Sequence, residues 1–219
     1  MISSISRRGL LTTGAALLVA GHANAAAFPA SRDSTLNMGL VRRAIAAMHE
    51  RHAELAAMDR LAVVDFSLAS RLPRMHLIDL EKSAVRSVLV AHGRGSDPDF
   101  TGWLSRFSNA PGSYASSEGS YVTGPAYVGE HGRSLRLVGM DKTNSNAEER
   151  AIVIHAASYV NEPQARNTGK IGRSEGCFAV AGASLDPVLS HLGTGRFLYA
   201  EKLGSGSPIA PASARTYIL

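Results

Sequence analysis

Apolar positions recur with two different periods along this chain, and they predict one N-terminal helix followed by a series of strands. From Asn37 to about Met58 the apolar side chains return at helical spacing, with most charges on the other face. Later runs rich in Val, Ile and Leu are short and bounded by turn residues, as is typical of strands. The predicted strands are Leu61–Phe66, Met75–Leu80, Arg86–Ala91, a segment near Tyr121–Thr123, Ser134–Val138, Ala151–His155 and Arg196–Tyr199.

Many strands at short intervals with few helices predict a mainly β protein, a β-rich barrel or sandwich. The strands Met75–Leu80 and Arg86–Ala91 are expected to form a hairpin through residues 81–83. A short C-terminal helix is expected from Ser184, as its N-cap, to about Leu192, with Pro187 in the first turn. The fold class is therefore mainly β with an N-terminal helix and a short C-terminal helix.

The region from Gly93 to Gly119 lacks a regular pattern and is rich in Gly, Ser, Pro and Asn. A loop of this length inside a compact domain is commonly functional. It is expected to form a wall of the substrate site, with a short helix from Phe100 to Phe107 as one option. Tyr114 offers stacking there, and Ser113, Ser116 and Ser117 offer hydrogen bonds.

Composition fits one soluble domain with a sizeable core, because 45% of the 219 residues are hydrophobic and 19% are charged. The formal net charge is +5. Nucleic-acid binding gains no support, since no Lys/Arg run exceeds two residues and aromatic residues make up only 6%.

The first 25 residues have the pattern of a twin-arginine signal peptide. Arg7 and Arg8 precede a short apolar stretch, and Ala23-Asn-Ala25 matches an A-x-A cleavage site. The stretch from Leu10 to Ala20 is too short to span a bilayer of about 30 Å. Export to the periplasm is expected, with no transmembrane segment in the mature chain, whose charge would be 5 − 2 = +3.

Export gives weight to Cys177, the only cysteine. A lone cysteine taken at random is more often inert core filler, but this one follows a glycine in a run of small and polar residues. In an oxidising compartment an unpaired thiol is a liability unless it has a function. His155 ends an apolar strand 22 residues upstream. A thiol on a turn and an imidazole at a strand end are the components of a Cys-His nucleophilic pair.

A zinc site of His92, His131 and His155 is the competing interpretation. Their spacing matches no compact ligand motif, and no carboxylate partner is identifiable. Neither a metal nor another cofactor is therefore expected.

Several segments together resemble one family. His155 followed by Ser174-x-Gly176-Cys177 is similar to the signature of the L,D-transpeptidase (YkuD-type) superfamily, in particular its murein L,D-transpeptidase catalytic domain branch. The further similar segments are Val90–Arg94, Phe107–Tyr114, Gly129–Leu137, Glu149–His155 and Gly172–Cys177. The resemblance spans roughly residues 60 to 200. Together with the N-terminal patterns above, it divides the chain into a signal peptide at 1–25, a leader and helix at 26–59, an L,D-transpeptidase-like catalytic domain at 60–203 and a tail at 204–219.

The resemblance implies a thioester intermediate with the peptide stems of peptidoglycan, and inhibition by carbapenems. Cys177 would be the nucleophile and His155 the base, while backbone amides around Gly176 and Cys177 would form the oxyanion hole. Two departures stand out. Glu175 occupies a position where many members have histidine, and it is expected to face solvent or an arginine such as Arg173. Phe178 replaces a proline and could reshape the pocket.

Arg136 and Arg173 are candidates for binding substrate carboxylates. The other substrate-binding candidates are Ser174, Tyr114, His131 and His92. Ser158, Tyr159 or a backbone carbonyl could orient His155.

The expected function is periplasmic crosslinking of peptide stems. The alternatives are an L,D-carboxypeptidase or endopeptidase on the same scaffold, and a non-catalytic peptidoglycan-binding protein. The stem positions joined, as a 3-3 or 1-3 bridge, and the oligomeric state stay open.

Overall fold

One eight-stranded sheet accounts for most of the protein, which the computed structural model describes over residues 36–204. Its strands are β1 (Arg60–Asp65), β2 (Met75–Asp79), β3 (Ala84–Val88), β4 (Gly119–Gly129), β5 (Gly132–Gly139), β6 (Val153–Ala156), β7 (Phe178–Val180) and β8 (Phe197–Glu201). Their order in the sheet is β3-β2-β1-β8-β4-β5-β6-β7. An antiparallel bridge joins Val90, just after β3, to Val180 in β7. The sheet thus curls into a nearly closed barrel, which confirms the mainly β prediction.

Most neighbouring strands are antiparallel, including the predicted β2–β3 hairpin. The pairs β1–β8 and β6–β7 are parallel. Because parallel strands cannot be joined by a tight turn, β6 and β7 are linked by a crossover that carries helix α2 (Glu162–Thr168). This crossover returns the chain beside β6, and it places Cys177 directly before β7.

Helix α1 (Met38–Glu50) begins at Asn37, whose side chain accepts hydrogen bonds from the amides of Gly39 and Leu40. Its buried face packs on β1 and β8. The prediction that the helix continues to Met58 is wrong. The helix ends at Glu50, and a 3₁₀ turn follows at His52–Glu54. The chain leaves the helix axis here because the Ala56 amide donates a hydrogen bond to the Gly195 carbonyl.

Helix α3 (Gly182–Leu192) begins two residues before the predicted cap. Ala181 is the N-cap, and the Ser184 amide already donates to the Ala181 carbonyl. Pro187 therefore lies inside the helix and not in its first turn. The reason is that β7 ends at Val180 and the chain enters the helix at once, so the Ser184 hydroxyl has no capping role.

The predicted helix from Phe100 to Phe107 is absent, and a single 3₁₀ turn (Arg94–Ser96) interrupts the long loop. Phe100 and Gly102 have positive φ angles of 52° and 87°, which a right-handed helix does not allow. The carboxylate of Asp97 accepts hydrogen bonds from the amides of Thr101 and Gly102 and so fixes a tight turn. Sequence reasoning also missed α2 and β7.

The barrel interior contains a continuous apolar core that includes Phe66, Tyr121 and Phe178. Phe178 is fully buried there, so its side chain points away from the site described below. Within residues 36–204 no helix is long and apolar enough to cross a membrane. The predicted signal peptide and the tail beyond residue 204 lie outside the described residues.

Candidate active site

Two pockets meet at Cys177, where β6 and β7 run side by side. The His155 pocket is lined by Arg94, His131, His155, Ala156, Ala157, Ser158, Tyr159, Arg173, Ser174, Glu175 and Cys177. The Tyr114 pocket is lined by Pro111, Gly112, Tyr114, His131, Glu149, Arg150, Ala151, Glu175 and Cys177. The structure thus brings Cys177 and His155 into one cleft. The strand register explains why: His155 pairs with Ala179, two residues after the cysteine.

The Cys177 thiol is recessed, with 9% of the residue exposed. Its Sγ lies 3.5 Å from the carbonyl oxygen of Ala151, to which it donates a weak hydrogen bond. Burial raises the pKa of the thiol, and the Glu175 carboxylate adds to this rise. A backbone hydrogen bond at Val153 and the Arg150 guanidinium act in the opposite direction. The net effect favours the protonated thiol.

The His155 imidazole is held in one orientation by the main chain. Its Nδ1 lies 2.9 Å from the carbonyl oxygen of Ala156. Because a carbonyl only accepts, Nδ1 carries the proton and Nε2 is left as a proton acceptor. A backbone carbonyl thus orients the imidazole, rather than Ser158 or Tyr159. Burial lowers the pKa of His155, this hydrogen bond raises it, and nearby His131 lowers it further.

The pKa values of Cys177 and His155 are shifted in opposite directions. Burial raises the pKa of Cys177 and lowers that of His155. Both shifts favour the neutral thiol and imidazole over a thiolate–imidazolium pair. A proton would have to leave Cys177 before its sulfur could act as a nucleophile, and Nε2 of His155 is an acceptor in the same cleft.

The turn that carries the cysteine is organised by Ser174, which is 4% exposed. Its hydroxyl accepts a hydrogen bond from the Gly176 amide at 3.2 Å and donates to the Cys177 carbonyl at 2.6 Å. The Ser174 hydroxyl and the Gly176 amide are thus both engaged inside the turn in this structure. An oxyanion hole that uses the Gly176 amide would require this turn to rearrange.

Gly176 is needed for two separate reasons. Its φ of +122° lies in a region that favours glycine. A Cβ at this position would also lie 2.8 Å from Cδ1 of Ile152 and 2.9 Å from the carbonyl oxygen of Ala115. The loop therefore packs its backbone directly against the long loop of residues 93–119.

Serines predicted to face substrate instead join these loops. The Ser116 hydroxyl accepts from the Gly93 amide at 3.0 Å and donates to the Gly176 carbonyl at 3.4 Å. The Ser117 hydroxyl donates to the Ser108 carbonyl at 2.9 Å. Both serines are fully buried. They stabilise the wall of the cleft from behind rather than lining it.

Arg150 is a site residue that the sequence reasoning missed. It lines the Tyr114 pocket beside Cys177. Its guanidinium donates to the Ser108 carbonyl at 2.8 Å, to the Ser117 hydroxyl at 2.6 Å and to the Ala115 carbonyl. The available signal was its place directly before the predicted strand Ala151–His155, but an arginine there also fits a solvated surface.

Glu175 faces solvent and an arginine, as expected, although that arginine is Arg94 and not Arg173. The Arg94–Glu175 ion pair is 3.0 Å long and exposed. The Arg94 guanidinium also lies over the Tyr114 ring, 3.8 Å from its centroid. Since Arg94 lines one pocket and Tyr114 the other, this contact links the two pockets beside Cys177.

The remaining candidates are divided between the cleft and other places. His131 lines both pockets and stacks on His155. Arg173 lines the His155 pocket, and its guanidinium is held by the carbonyls of Asp97 and Pro98. Arg136 lies over the Tyr127 ring instead, and it lines neither pocket.

The structure does not bring His92 to the cleft. It is 1% exposed and lies between Arg74, whose Nη2 is 2.7 Å from Nδ1, and Asp97, whose Oδ2 is 3.3 Å from Nε2. Burial, with the charge of Arg74, lowers the pKa of His92 to about 3. Among residues 36–204 no three His, Cys, Asp or Glu side chains are grouped to hold a metal ion.

Comparison with known proteins identifies the family. The family model described as L,D-transpeptidase catalytic domain matches residues 32–200. The chain therefore belongs to this family. The match includes α1 as well as the barrel. No curated protein matches the chain.

Solved structures with similarity to the chain include three distant ones. An L,D-transpeptidase from Mycobacterium smegmatis is 12% identical, with 65% of this chain and 58% of that chain covered and a TM-score of 0.39. The LD transpeptidase LdtMt1 in complex with imipenem is 12% identical, with coverage of 65% and 59% and a TM-score of 0.38. The helical cell shape determining protein Pgp2 from Campylobacter jejuni is 13% identical, with coverage of 77% and 57% and a TM-score of 0.41. This chain therefore spans less than two thirds of the length of each.

Proposed function

We propose that this protein is a cysteine-dependent L,D-transpeptidase that crosslinks peptide stems of peptidoglycan through a thioester on Cys177. The observation that carries the proposal is the shared cleft of Cys177 and His155, in which the Ala156 carbonyl leaves Nε2 of His155 as a proton acceptor. The family supplies the reaction class, and no cofactor is needed for it.

In the first half of the reaction, Nε2 of His155 takes the proton from Sγ of Cys177. The sulfur attacks the carbonyl carbon of a donor-stem amide, and the C–N bond breaks after a tetrahedral intermediate. The imidazolium returns its proton to the departing amine. The product is a thioester, and the amide bond energy is retained in a form that an amine can use without ATP.

In the second half, an amine of an acceptor stem attacks the thioester carbonyl while His155 takes a proton from it. The C–S bond breaks and the thiol is restored as the proton passes back to sulfur. Two pockets meeting at Cys177 provide separate approaches for donor and acceptor. Arg173, Tyr114, His131 and the turn residue Ser174 are the proposed substrate-contact residues of this cleft.

The proposed place of action is the periplasm, because peptidoglycan lies outside the cytoplasmic membrane and residues 1–25 have the pattern of a twin-arginine signal. Replacement of Arg7 and Arg8 by lysine should retain the precursor in the cytoplasm. Normal periplasmic accumulation of that variant would contradict the route.

The decisive experiment is mass analysis of the products formed from purified muropeptides. Wild-type protein should form a covalent adduct on Cys177 and crosslinked products when an acceptor amine is supplied. Cys177→Ala should form neither, and His155→Ala should lower turnover by about 10²-fold or more. A chelator should have no effect.

Each other outcome points to a defined alternative. Trimmed stems without crosslinks, even with excess acceptor, would identify a hydrolase in which water resolves the thioester. Stem binding with no adduct would identify a non-catalytic binding protein. Turnover that survives Cys177→Ala would refute the mechanism.

A further inference from the structure

We propose that the cleft continues into a basic groove that binds carboxylates of the peptidoglycan peptide far from the scissile bond. The groove is defined by Arg71, Arg86 and Arg166, which line one cavity outside the active site. This inference rests on the proposed function, since it takes the substrate to be a carboxylate-bearing stem peptide. It assigns a role to a surface that the catalytic steps above do not use.

The groove adjoins the cleft through an intermediate pocket. Residues 156–158 line both the His155 pocket and this intermediate pocket. At its other end, the intermediate pocket shares Glu162, Arg166, Ala181 and Ser184 with the arginine-lined cavity. A chain bound beside Cys177 can therefore follow one surface past the end of β6, between α2 and α3, to Arg71 and Arg86.

The charge of the groove is uncompensated. Within residues 36–204 neither Arg71 nor Arg86 has an ion-pair partner, whereas Arg166 pairs with Glu162 at 2.9 Å. Since that pair is neutral as a whole, the groove carries the two positive charges of Arg71 and Arg86. Guanidinium groups bind carboxylates through paired N–H donors, so the ligand that fits is anionic and planar at its charged group.

Helix α3 contributes in the same direction. Its first turn contains no acidic residue, and its N-cap, Ala181, offers no side-chain hydrogen bond. Ala181 and Ser184, at this helix end, line the groove. The Ser184 amide already donates to the Ala181 carbonyl, so the contribution of this helix end is the positive end of the helix dipole, which favours a negative charge nearby.

The rest of the lining suits a peptide rather than a free inorganic ion. Pro73 and the small exposed parts of the buried residues Val88, Leu89 and Ala165 form an apolar part of the lining. A small anion would contact the arginines but not this apolar lining. A peptide with short alkyl side chains and free carboxylates would contact both the apolar lining and the arginines. Peptide stems have that character.

A binding experiment tests the groove without catalysis. The parent protein carries Cys177→Ala and cannot form the thioester. Stem peptides prepared from disaccharide muropeptides are titrated into it, and binding is measured by calorimetry. The Arg71→Gln/Arg86→Gln double variant should weaken binding by about 3- to 10-fold, the range expected for two exposed charge pairs. Arg42→Gln, an exposed arginine on α1 away from these pockets, should bind as the parent does.

Three further arms separate the sources of any effect. Peptides with amidated carboxylates should bind the parent and the double variant equally. Raising the salt concentration should weaken the parent more than the double variant. Inorganic phosphate at the same concentration should not displace the peptide. Equal loss for free and amidated peptides, or full displacement by phosphate, would overturn the inference.

Kinetics separate failure of the groove from failure of the proposed function. With Cys177 intact, the Arg71→Gln/Arg86→Gln enzyme should turn over a minimal substrate, which ends within the two cleft pockets, at the wild-type rate. With the full muropeptide its KM should rise while kcat stays constant. Unchanged KM for the full substrate in an enzyme that needs Cys177 would refute the groove and leave the proposed function standing.

Discussion

The His131 imidazole lies over that of His155, with ring centroids 4.4 Å apart and planes inclined by 23°. After burial, which is the main cause, the proximity of His131 is one of the effects that lower the pKa of His155. In the proposed reaction the base must be neutral to accept the thiol proton, so we expect His131 to extend the working range of His155 toward lower pH.

Replacing His131 by glutamine should therefore move the acid limb of the kcat/KM profile to higher pH. The sign follows because loss of His131 raises the pKa of His155, and more of the base is then protonated at a given acidic pH. The measurement is a pH–rate profile of the wild type and His131→Gln. An acid limb that stays in place would show that His131 has no electrostatic effect on the base.

Arg150 combines a structural and an electrostatic role, and two substitutions separate them. Arg150→Lys keeps the charge but cannot hold Ser108, Ala115 and Ser117 together, so we expect it to lower the free energy of unfolding by roughly 2–3 kcal/mol. Arg150→Met should also lower stability, and in addition it should raise the pKa of Cys177. Urea unfolding measures the first effect, and alkylation of the thiol against pH measures the second. An identical alkylation profile for both variants would argue against the electrostatic role.

The sequence was sufficient for most of the strands and for the cleft that Cys177 and His155 share, because both depend on local signals. Hydrophobic runs predicted seven of the strands, and the Ser174-x-Gly176-Cys177 segment with His155 indicated the site. The helix extension to Met58 failed because a tertiary hydrogen bond between Ala56 and Gly195 overrides the helical pattern. β7 was missed because its three residues are too few to show a period.

The partners of side chains were less predictable than their positions. Ser116 and Ser117 have the composition of a binding loop, but burial of the loop's inner face commits them to neighbouring backbone groups. His92 directly follows a predicted strand and His155 ends another, yet only the fold determines that His92 contacts Arg74 while His155 lines the cleft. Such choices depend on contacts between segments far apart in sequence.

Glu175 is expected to restrain the nucleophile. Its carboxylate contributes to the raised pKa of Cys177, after burial as the main cause. Glu175→Gln should lower that pKa, so alkylation of the thiol should reach half its maximal rate at a lower pH. Stability should change by less than about 1 kcal/mol, since the Arg94 pair is exposed. Glu162→Gln, which removes an exposed pair on α2, is the matched control and should leave the alkylation profile unchanged.

Gly176→Ala should damage both folding and activity. The substitution combines a strained φ of +122° with a Cβ that would meet Ile152 and the Ala115 carbonyl. We expect a loss of roughly 2–4 kcal/mol in the free energy of unfolding. Gly169→Ala is the control, because its φ is +71° and its Cβ would meet nothing within 4 Å. It should cost only about 1–2 kcal/mol. Equal losses in the two variants would show that the close packing at Gly176 is unimportant.

His92 should make the protein less stable as the pH falls. The pKa of His92 is lowered to about 3 in the folded state, from an ordinary value of 6.5. Between these values the unfolded chain binds a proton that the folded protein refuses, so stability is fully present above pH 6.5 and declines below it. At about 1.4 kcal/mol per pKa unit, the contribution of this residue between pH 6.5 and 4.5 is roughly 2–3 kcal/mol.

His92→Gln keeps an acceptor for Arg74 and a donor for Asp97 but cannot titrate, so its free energy of unfolding in urea should change less between pH 8 and pH 4.5 than that of the wild type. Groups away from His92, such as His155, contribute equally to both slopes, and the glutamine amide can still donate to the Asp97 carboxylate that His92 contacts. Equal slopes would mean that the folded protein accommodates a charged imidazole between Arg74 and Asp97.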